Sequence, residues 1–200
     1  MKNIIIIITL VLTFFNCKAQ SPVLNMEIDT KYDAPNNSYY KDINNELNNF
    51  VGTWLYTNGN TSLKIILVKS TQYFNGKFYE DLLIGGYQYI ENGVEKINTL
   101  ADANDPSIGR AASIKGNNIY NNCKYLPVND CVEGEKSLDL SIKDTTSEGH
   151  IAALRLYKRI INGQEAFKAN LSMNYYKDVS GAIPDSTLPG MMRNIILLKQ

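Results

Sequence analysis

The sequence predicts an all-β protein, a single antiparallel up-and-down meander of about eight to ten strands that closes into a barrel after a short N-terminal helix. Segments with apolar residues at alternate positions follow one another from Gly52 onward, which is the periodicity of half-buried strands. Short turn signals separate these segments and indicate antiparallel neighbours. A meander of this many strands removes its exposed edges by closing on itself.

The barrel domain is predicted to cover residues 42–200 and to begin with one or two helical turns. Apolar residues recur there at helical spacing, namely Ile43, Leu47 and Phe50. Asp42 precedes them and can cap the helix. Residues 17–41 are rich in Asn, Asp, Ser and Pro without sustained periodicity, a composition typical of a flexible tether or an extended arm.

Asn-Gly dipeptides mark the predicted hairpin turns. They stand at Asn58-Gly59, Asn75-Gly76, Asn92-Gly93 and Asn162-Gly163. Asn and Gly accept the positive φ angles of a type I′ turn, and apolar alternation on either side makes the pair a strong hairpin signal. The flanking predicted strands are residues 63–68, 87–91, 94–97, 153–160 and 167–173.

Three further segments complete the predicted meander. Ser137–Lys143 alternates strictly between apolar and polar residues. Ser113–Tyr120 predicts another hairpin, and Asn194–Lys199 a C-terminal strand. Residues 101–110 and 178–192 are the longest irregular stretches, and the second, which contains Gly and Pro, is a candidate lid or mouth loop.

The first twenty residues are typical of an export signal. Lys2 supplies a positive charge, and the apolar run Ile4–Phe15 is shorter than the about 20 residues needed to span a bilayer. Small residues follow this run, as at a cleavage site. We therefore predict that residues 1–16 form a signal peptide and that the mature protein works outside the cytoplasm.

Cys17 is the candidate lipidation site. Cleavage between Asn16 and Cys17 would leave Cys17 to carry acyl chains, whereas recognition of Cys17-Lys18-Ala19 would leave Gln20 at the N-terminus. The first route resembles that of Bacteroidota envelope lipoproteins, which tolerate loose lipoboxes. It implies a membrane partner, and Lys18 favours the outer membrane, whether the protein faces the periplasm or the surface. The second route implies a secreted or periplasmic protein.

Cys123 and Cys131 remain as a pair once Cys17 is used or removed. In an oxidising envelope this spacing predicts a disulfide that closes a short loop. Free thiols stay an alternative. A metal site is disfavoured because close Cys pairs and a nearby His are missing, and we predict neither a metal nor a cofactor.

Residues 50–56, Phe-Val-Gly-Thr-Trp-Leu-Tyr, resemble the Gly-x-Trp start of the calycins, the lipocalin and fatty-acid-binding-protein barrels. The resemblance implies a calycin-like barrel in which Trp54 packs at the closed end under a cation of the last strand, Arg193 or Lys199. Such a cation contributes about 0.5 to 2 kcal/mol. Trp54, Tyr56 and Arg193 are the candidate ligand-binding or barrel-closing residues. The whole chain is similar to exported Bacteroidota β-barrel lipoproteins, a group without a settled function.

Charge and residue types disfavour several function classes. With 20 basic and 20 acidic residues and no basic run, the chain is not expected to bind nucleic acid. His150 is the only histidine and falls in a predicted surface loop, without a nucleophile elbow. Asp81, Glu91 and Glu95 lie on predicted solvent faces, so no acid–base pair is evident. We expect no enzymatic activity.

The expected function is therefore that of a non-enzymatic, envelope-anchored barrel that binds a small apolar ligand or an envelope protein. An eight-stranded barrel is either just filled by side chains or holds one small ligand. The large inward residues of 137–143 and 167–173 favour a filled interior. A structural or interaction module with a filled barrel and no ligand is the alternative.

Overall fold

Eight antiparallel strands close into a barrel in the structure, a computed structural model that describes residues 21–146, 150–174 and 186–200. The strands are β1 (Val23–Asn25), β2 (Tyr39–Lys41), β3 (Gly52–Asn58), β4 (Thr61–Phe74), β5 (Tyr79–Glu91), β6 (Val94–Asn98), β7 (Ile114–Tyr120), β8 (Ser137–Lys143), β9 (Ile151–Ile161), β10 (Gln164–Asn174) and β11 (Met191–Lys199). Short 3-10 helices cover Lys31–Asp33, Glu46–Phe50, Leu100–Asn104 and Pro106–Ala111.

The ring runs β5-β4-β3-β11-β10-β9-β8-β7, and β7 pairs back with β5. Every pairing in it is antiparallel. Strand β6 forms a hairpin with the end of β5 but is not part of the ring. The next strand, β7, pairs with the middle of β5 and closes the ring there. The predicted fold class, an all-β antiparallel meander closed into a barrel, is confirmed.

The Asn-Gly signals all fall at hairpin turns, but they use two geometries. Asn92-Gly93 (φ 52° and 79°) and Asn162-Gly163 (φ 51° and 81°) have positive φ at both residues, as a type I′ turn requires. In the other two pairs the positive φ falls on Gly59 (56°) and Gly76 (99°). The dipeptide therefore located the turns, while the turn type depended on the flanking register.

Two local predictions need correction. Ser113–Tyr120 is not a hairpin, because Ile114–Tyr120 is one continuous strand whose pairing with β8 shifts register between Lys115 and Asn118. The register shift accommodates Gly116 within the strand. The short N-terminal helix is a 3-10 helix that starts later than expected, at Glu46.

Asp42 stabilises the start of that 3-10 helix from a position before its N-cap. Its carboxylate accepts hydrogen bonds from the backbone N–H groups of Glu46 (2.8 Å) and Leu47 (3.0 Å). Lys69 adds an ion pair to the same carboxylate at 2.7 Å. Asp42 therefore caps the 3-10 helix, as predicted, and its ion pair with Lys69 also links the helix to β4.

Residues 21–41 form an extended arm that lies on the sheet. The strand β1 pairs in parallel with β2, and β2 pairs in parallel with β5. Met26, Ala34 and Tyr40 are buried in the barrel's core cluster. Over these residues the chain is therefore not a flexible tether, because isolated apolar side chains, too sparse to produce a periodic pattern, are anchored in the core.

Large apolar side chains occupy the described barrel interior as one continuous cluster. Its strand residues include Leu63, Ile65, Leu67, Leu83, Tyr87, Tyr89, Leu138, Leu140, Ile142, Leu154, Leu156, Phe167 and Leu171. Each such side chain contributes about 1.5 to 3 kcal/mol when fully buried. The described strands thus present a filled interior at these positions.

A second apolar layer covers the outer face of β5. Leu82 and Ile84 point away from the interior and pack with Ala112, next to the 3-10 helices Leu100–Asn104 and Pro106–Ala111. This segment approaches the sheet so closely that a Cβ on Gly86 would lie 1.8 Å from the Thr99 carbonyl oxygen. Among the described residues, no helix combines the length and apolarity needed to cross a bilayer.

Candidate functional site

Trp54 packs inside the barrel and is almost completely buried. It is 1% exposed, its Nε1 donates to the Phe50 carbonyl oxygen at 3.1 Å, and its ring lies 3.9 Å from the Phe167 ring. Lys199 on β11 supplies the cation, with Nζ 5.6 Å from the indole centroid. The Phe50 carbonyl oxygen, the Phe167 ring and the Lys199 ammonium group therefore hold the indole in place.

The other two calycin-type candidates differ in their relation to the indole. Arg193 is exposed on β11, and its Nε contacts Met191 Sδ, so the cation over Trp54 is Lys199 rather than Arg193. Tyr56 is half-buried at the margin of the core cluster. Tyr56 therefore shares the inward face of β3 with Trp54, whereas Arg193 faces solvent.

The predicted disulfide between Cys123 and Cys131 is confirmed. It closes a loop that docks on the outer face of the barrel. Beneath this loop, the fully buried Arg155 donates to the Asn122 carbonyl oxygen at 2.8 Å, and Asn170 donates to that of Pro127 at 2.7 Å. The disulfide is thus a structural staple. Cys17 lies outside the described residues.

Two predicted surface residues are buried, so those predictions were wrong. His150 is fully buried at the start of β9, and its carbonyl oxygen accepts from the Asp144 N–H at 3.0 Å. Asp81 is 2% exposed and accepts from the Tyr39 hydroxyl at 2.6 Å. The N-terminal segment contacts Asp81 through Tyr39 and Asp42, whereas His150 lies beside Asp144, whose carboxylate accepts hydrogen bonds from residues 186–188.

A second buried carboxylate, Glu80, gathers four side chains at the start of β5. Glu80 has no exposed surface and receives a two-pronged interaction from Arg110, with Nε at 2.6 Å and Nη2 at 2.7 Å. Lys31 Nζ lies 3.0 Å away, and the amides of Asn75 and Asn117 donate at 3.1 and 3.0 Å. This pairing of a guanidinium with a carboxylate fixes both groups in position.

The cluster keeps Glu80 ionised. Burial by itself raises the pKa of Glu80, but the Arg110 hydrogen bonds and the charges of Lys31 and Arg110 outweigh it and lower the pKa to about 2. The hydrogen bond to Glu80 raises the pKa of Arg110, whereas burial lowers that of Lys31. At neutral pH, one carboxylate therefore faces two cations, and a net positive charge remains.

That positive charge borders an open cleft of about 530 Å³, here called the outer cleft. Its lining residues are Lys31, Tyr32, Asn75, Lys77, Phe78, Arg110, Asn118 and Tyr120. Tyr32 is 93% exposed, and the Arg155 guanidinium lies 4.8 Å from the Tyr120 ring. The outer cleft has the volume of a small-molecule site and combines cations, amides and aromatic rings.

Four separate segments build the outer cleft: the arm, the β4–β5 hairpin, the second 3-10 helix of the 100–111 segment, and β7. Sequence reasoning missed it because its residues are spread over about 90 positions. One signal was available. Glu80 alternates with Leu82 and Ile84 on the same outward face of β5, and an apolar outward face indicates a covered one.

The described residues contain no group of three or more His, Cys, Asp or Glu side chains arranged to hold a metal ion. Comparison with curated proteins and with solved structures gave no match. A family model described as a family of unknown function, DUF6705, matches residues 1–200. The match covers the N-terminal residues 1–20, the arm and the barrel together. This chain, an eight-stranded antiparallel barrel, therefore belongs to the DUF6705 family.

Proposed function

We propose that this protein is an exported, membrane-anchored binding protein without enzymatic activity, and that its ligand is an anion held in the outer cleft. Export and anchoring rest on the sequence of residues 1–20, with Cys17 as the acylated residue. The calycin resemblance of residues 50–56 supports a binding role for the barrel. The observation that carries the ligand proposal is the buried Glu80 carboxylate, which holds Lys31 and Arg110 at the cleft wall.

The packed interior favours binding on the outside of the barrel. Trp54, Phe167 and the aromatic residues of β5 occupy space that an apolar ligand of calycin type would use. The outer cleft is open and polar instead. Binding in the outer cleft combines a filled barrel with a ligand held by surface elements, so it differs both from an apolar ligand inside the barrel and from a module without a ligand.

The donors in the outer cleft suit a negatively charged group. Arg110 uses Nε and Nη2 for Glu80, and within the described residues its Nη1 has no hydrogen-bond partner. Lys77 is exposed at the hairpin turn, and none of the residues that the structure describes forms an ion pair with it. Guanidinium and ammonium donors held in position are the usual recognition groups for phosphate, sulfate and carboxylate.

The same arrangement disfavours acid–base catalysis. A general acid or base works best with a pKa near the working pH, whereas Lys31 and Arg110 keep Glu80 ionised down to about pH 2. Its function in the cleft is therefore electrostatic support of the two cations.

The test is isothermal titration of the mature protein with inorganic phosphate, sulfate and small carboxylates. We expect binding that weakens with salt and falls about tenfold in Lys77→Gln, since a hydrogen bond to a charged group contributes about 1.5 to 3 kcal/mol. Lys96→Gln, an exposed lysine on β6, is the matched control and should bind unchanged. Absence of anion binding, or a small apolar molecule retained in native mass spectrometry, would contradict the proposal.

A further inference from the structure

We infer that the anion in the outer cleft is the phosphate of an anionic lipid headgroup, and that the protein docks on its own membrane through the tip of the β4–β5 hairpin. The inference rests on the proposed function, because it names the ligand of the same cleft and uses the anchor at Cys17. Three features of the described residues support it: an aromatic patch, the position of that patch on the hairpin, and the point where the chain leaves toward Cys17.

The aromatic patch consists of Val23, Tyr39, Phe74 and Tyr79. Val23, Phe74 and Tyr79 are 51%, 45% and 39% exposed, and the rings of Phe74 and Tyr79 lie 5.0 Å apart. Val23, Tyr39 and Tyr79 border a cleft of about 320 Å³. Single exposed apolar residues need no explanation, but contiguous ones indicate an interaction surface. Aromatic rings with one polar end are the side chains that favour the membrane–water interface.

The aromatic patch and the outer cleft lie on the two faces of one hairpin. Phe74 pairs with Tyr79 across the strands, so both rings lie on the same face. Phe78 and Glu80 alternate with Tyr79 and therefore lie on the other face, at the outer cleft. Lys77 stands in the turn between them. A flat surface that meets the hairpin tip therefore contacts aromatic rings on one side and cations on the other.

The chain reaches its anchor from this same end. Ser21 borders the aromatic patch, and the Pro22 carbonyl oxygen accepts from the Tyr39 N–H at 2.8 Å. Cys17 is four residues before Ser21, a separation of at most about 14 Å even in a fully extended chain. Acyl chains on Cys17 would therefore hold the aromatic patch close to the bilayer surface.

Charge complementarity favours an anionic bilayer as the occupant. Lys31, Lys77 and Arg110 border the outer cleft, and Lys41 lies beside the aromatic patch, with Nζ 5.9 Å from the Tyr39 ring. Each cation near an anionic lipid surface strengthens attachment about fivefold. Acyl chains supply membrane affinity but no orientation, so these surface contacts would fix which side of the barrel faces the lipid.

The experiment uses the acylated mature protein, which begins at Cys17, reconstituted in vesicles of phosphatidylcholine alone or with about a third phosphatidylglycerol. Phe74→Trp places a fluorophore in the aromatic patch, and brominated lipid quenches it if the patch enters the interface. The native Trp54 is buried and gives a constant background. Ile160→Trp, 64% exposed beside the Asn162-Gly163 turn, is the matched control. Tyr79→Trp serves as a second probe of the patch.

We expect quenching of Phe74→Trp to exceed that of Ile160→Trp at least threefold in the anionic vesicles. We also expect this difference to shrink in neutral vesicles and in the double variant Phe74→Trp/Lys77→Gln. Equal quenching of both patch probes and the control would overturn the inference. Inorganic phosphate that binds in a Lys77-dependent way, with quenching equal in neutral and anionic vesicles, would identify a free-phosphate site, so that the proposed function stands and the lipid inference falls. Absence of acyl chains on Cys17, or of any anion binding, would instead refute the proposed function itself.

Discussion

Glu80→Gln is the sharpest test of the ion cluster behind the outer cleft. The substitution keeps the size of the side chain but removes the charge that faces Lys31 and Arg110. Breaking a buried ion pair by neutralising one partner costs about 3 to 5 kcal/mol, since the other charges lose their compensation. Lys31 and Arg110 are 26% and 37% exposed and can recover some hydration. We therefore expect the free energy of unfolding at pH 7 to fall by about 3 kcal/mol.

The pKa of Glu80 gives a second route to the same magnitude. It lies at about 2 in the folded protein, compared with an ordinary value of 4.5. At about 1.4 kcal/mol per unit of pKa, this difference corresponds to about 3 kcal/mol of unfolding free energy. Because the folded-state pKa is the lower one, the stabilisation is complete above pH 4.5 and is lost as the pH falls toward 2.

Urea unfolding of both proteins between pH 2 and pH 7 measures these effects together. The difference in unfolding free energy between wild type and Glu80→Gln should be largest at neutral pH and should narrow below pH 4.5. Glu165→Gln is the matched control, because its carboxylate pairs with Lys199 on the surface, and we expect no measurable change. A Glu80→Gln protein as stable as wild type, or parallel pH profiles of the two, would refute the assigned role of the cluster.

Three further predictions concern stability, all measured by chemical unfolding. Cys123→Ser with Cys131→Ser should lower the unfolding free energy by about 2.5 kcal/mol, the chain-entropy value for a loop of this length; an unchanged midpoint would show that the docked loop needs no staple. Gly86→Ala should cost more than about 2 kcal/mol, because its Cβ would meet the Thr99 carbonyl oxygen, and a neutral effect would contradict that close approach. Asp139→Asn should stabilise the protein by about 1 kcal/mol at pH 7 and not at pH 3, since burial raises the pKa of Asp139 to about 6 and wild-type stability falls as the pH rises from about 4 to 6; a gain equal at both pH values would exclude this cause.

Local sequence patterns were sufficient for the barrel strands because each strand carries its own alternation and each hairpin its own turn signal. Ser137–Lys143 was predicted with the bounds that the structure has. The strands β4 and β5 were predicted too short, since bulges and buried polar residues interrupt the alternation at their ends. The positions of bulges and buried polar residues are set by the segments that pack on the strand, so the strand's own sequence does not indicate them.

The outer cleft could not be predicted, for a related reason. Glu80 is a polar residue near the start of a strand, and its burial depends on Lys31, Asn117 and Arg110, which arrive from distant parts of the chain. The outward Leu82 and Ile84 indicate that this face of β5 is covered, but they do not show which segments cover it or that Glu80 is ion-paired. The same limit applied to His150 and Asp81, whose burial follows from tertiary contacts rather than from periodicity.

The pairing of β3 with β11 imposes an order on the biogenesis of this protein. The ring closes between its first and last strands, with Trp54 opposite Lys199 and Leu55 opposite Leu198. The chain is synthesised from its N-terminus, so β3 emerges early and β11 late, and the sheet keeps two unpaired edges until synthesis is almost complete. Unpaired edges are templates for aggregation, and closure over this sequence separation is slow. The nascent barrel is therefore most vulnerable just before its final strand is released.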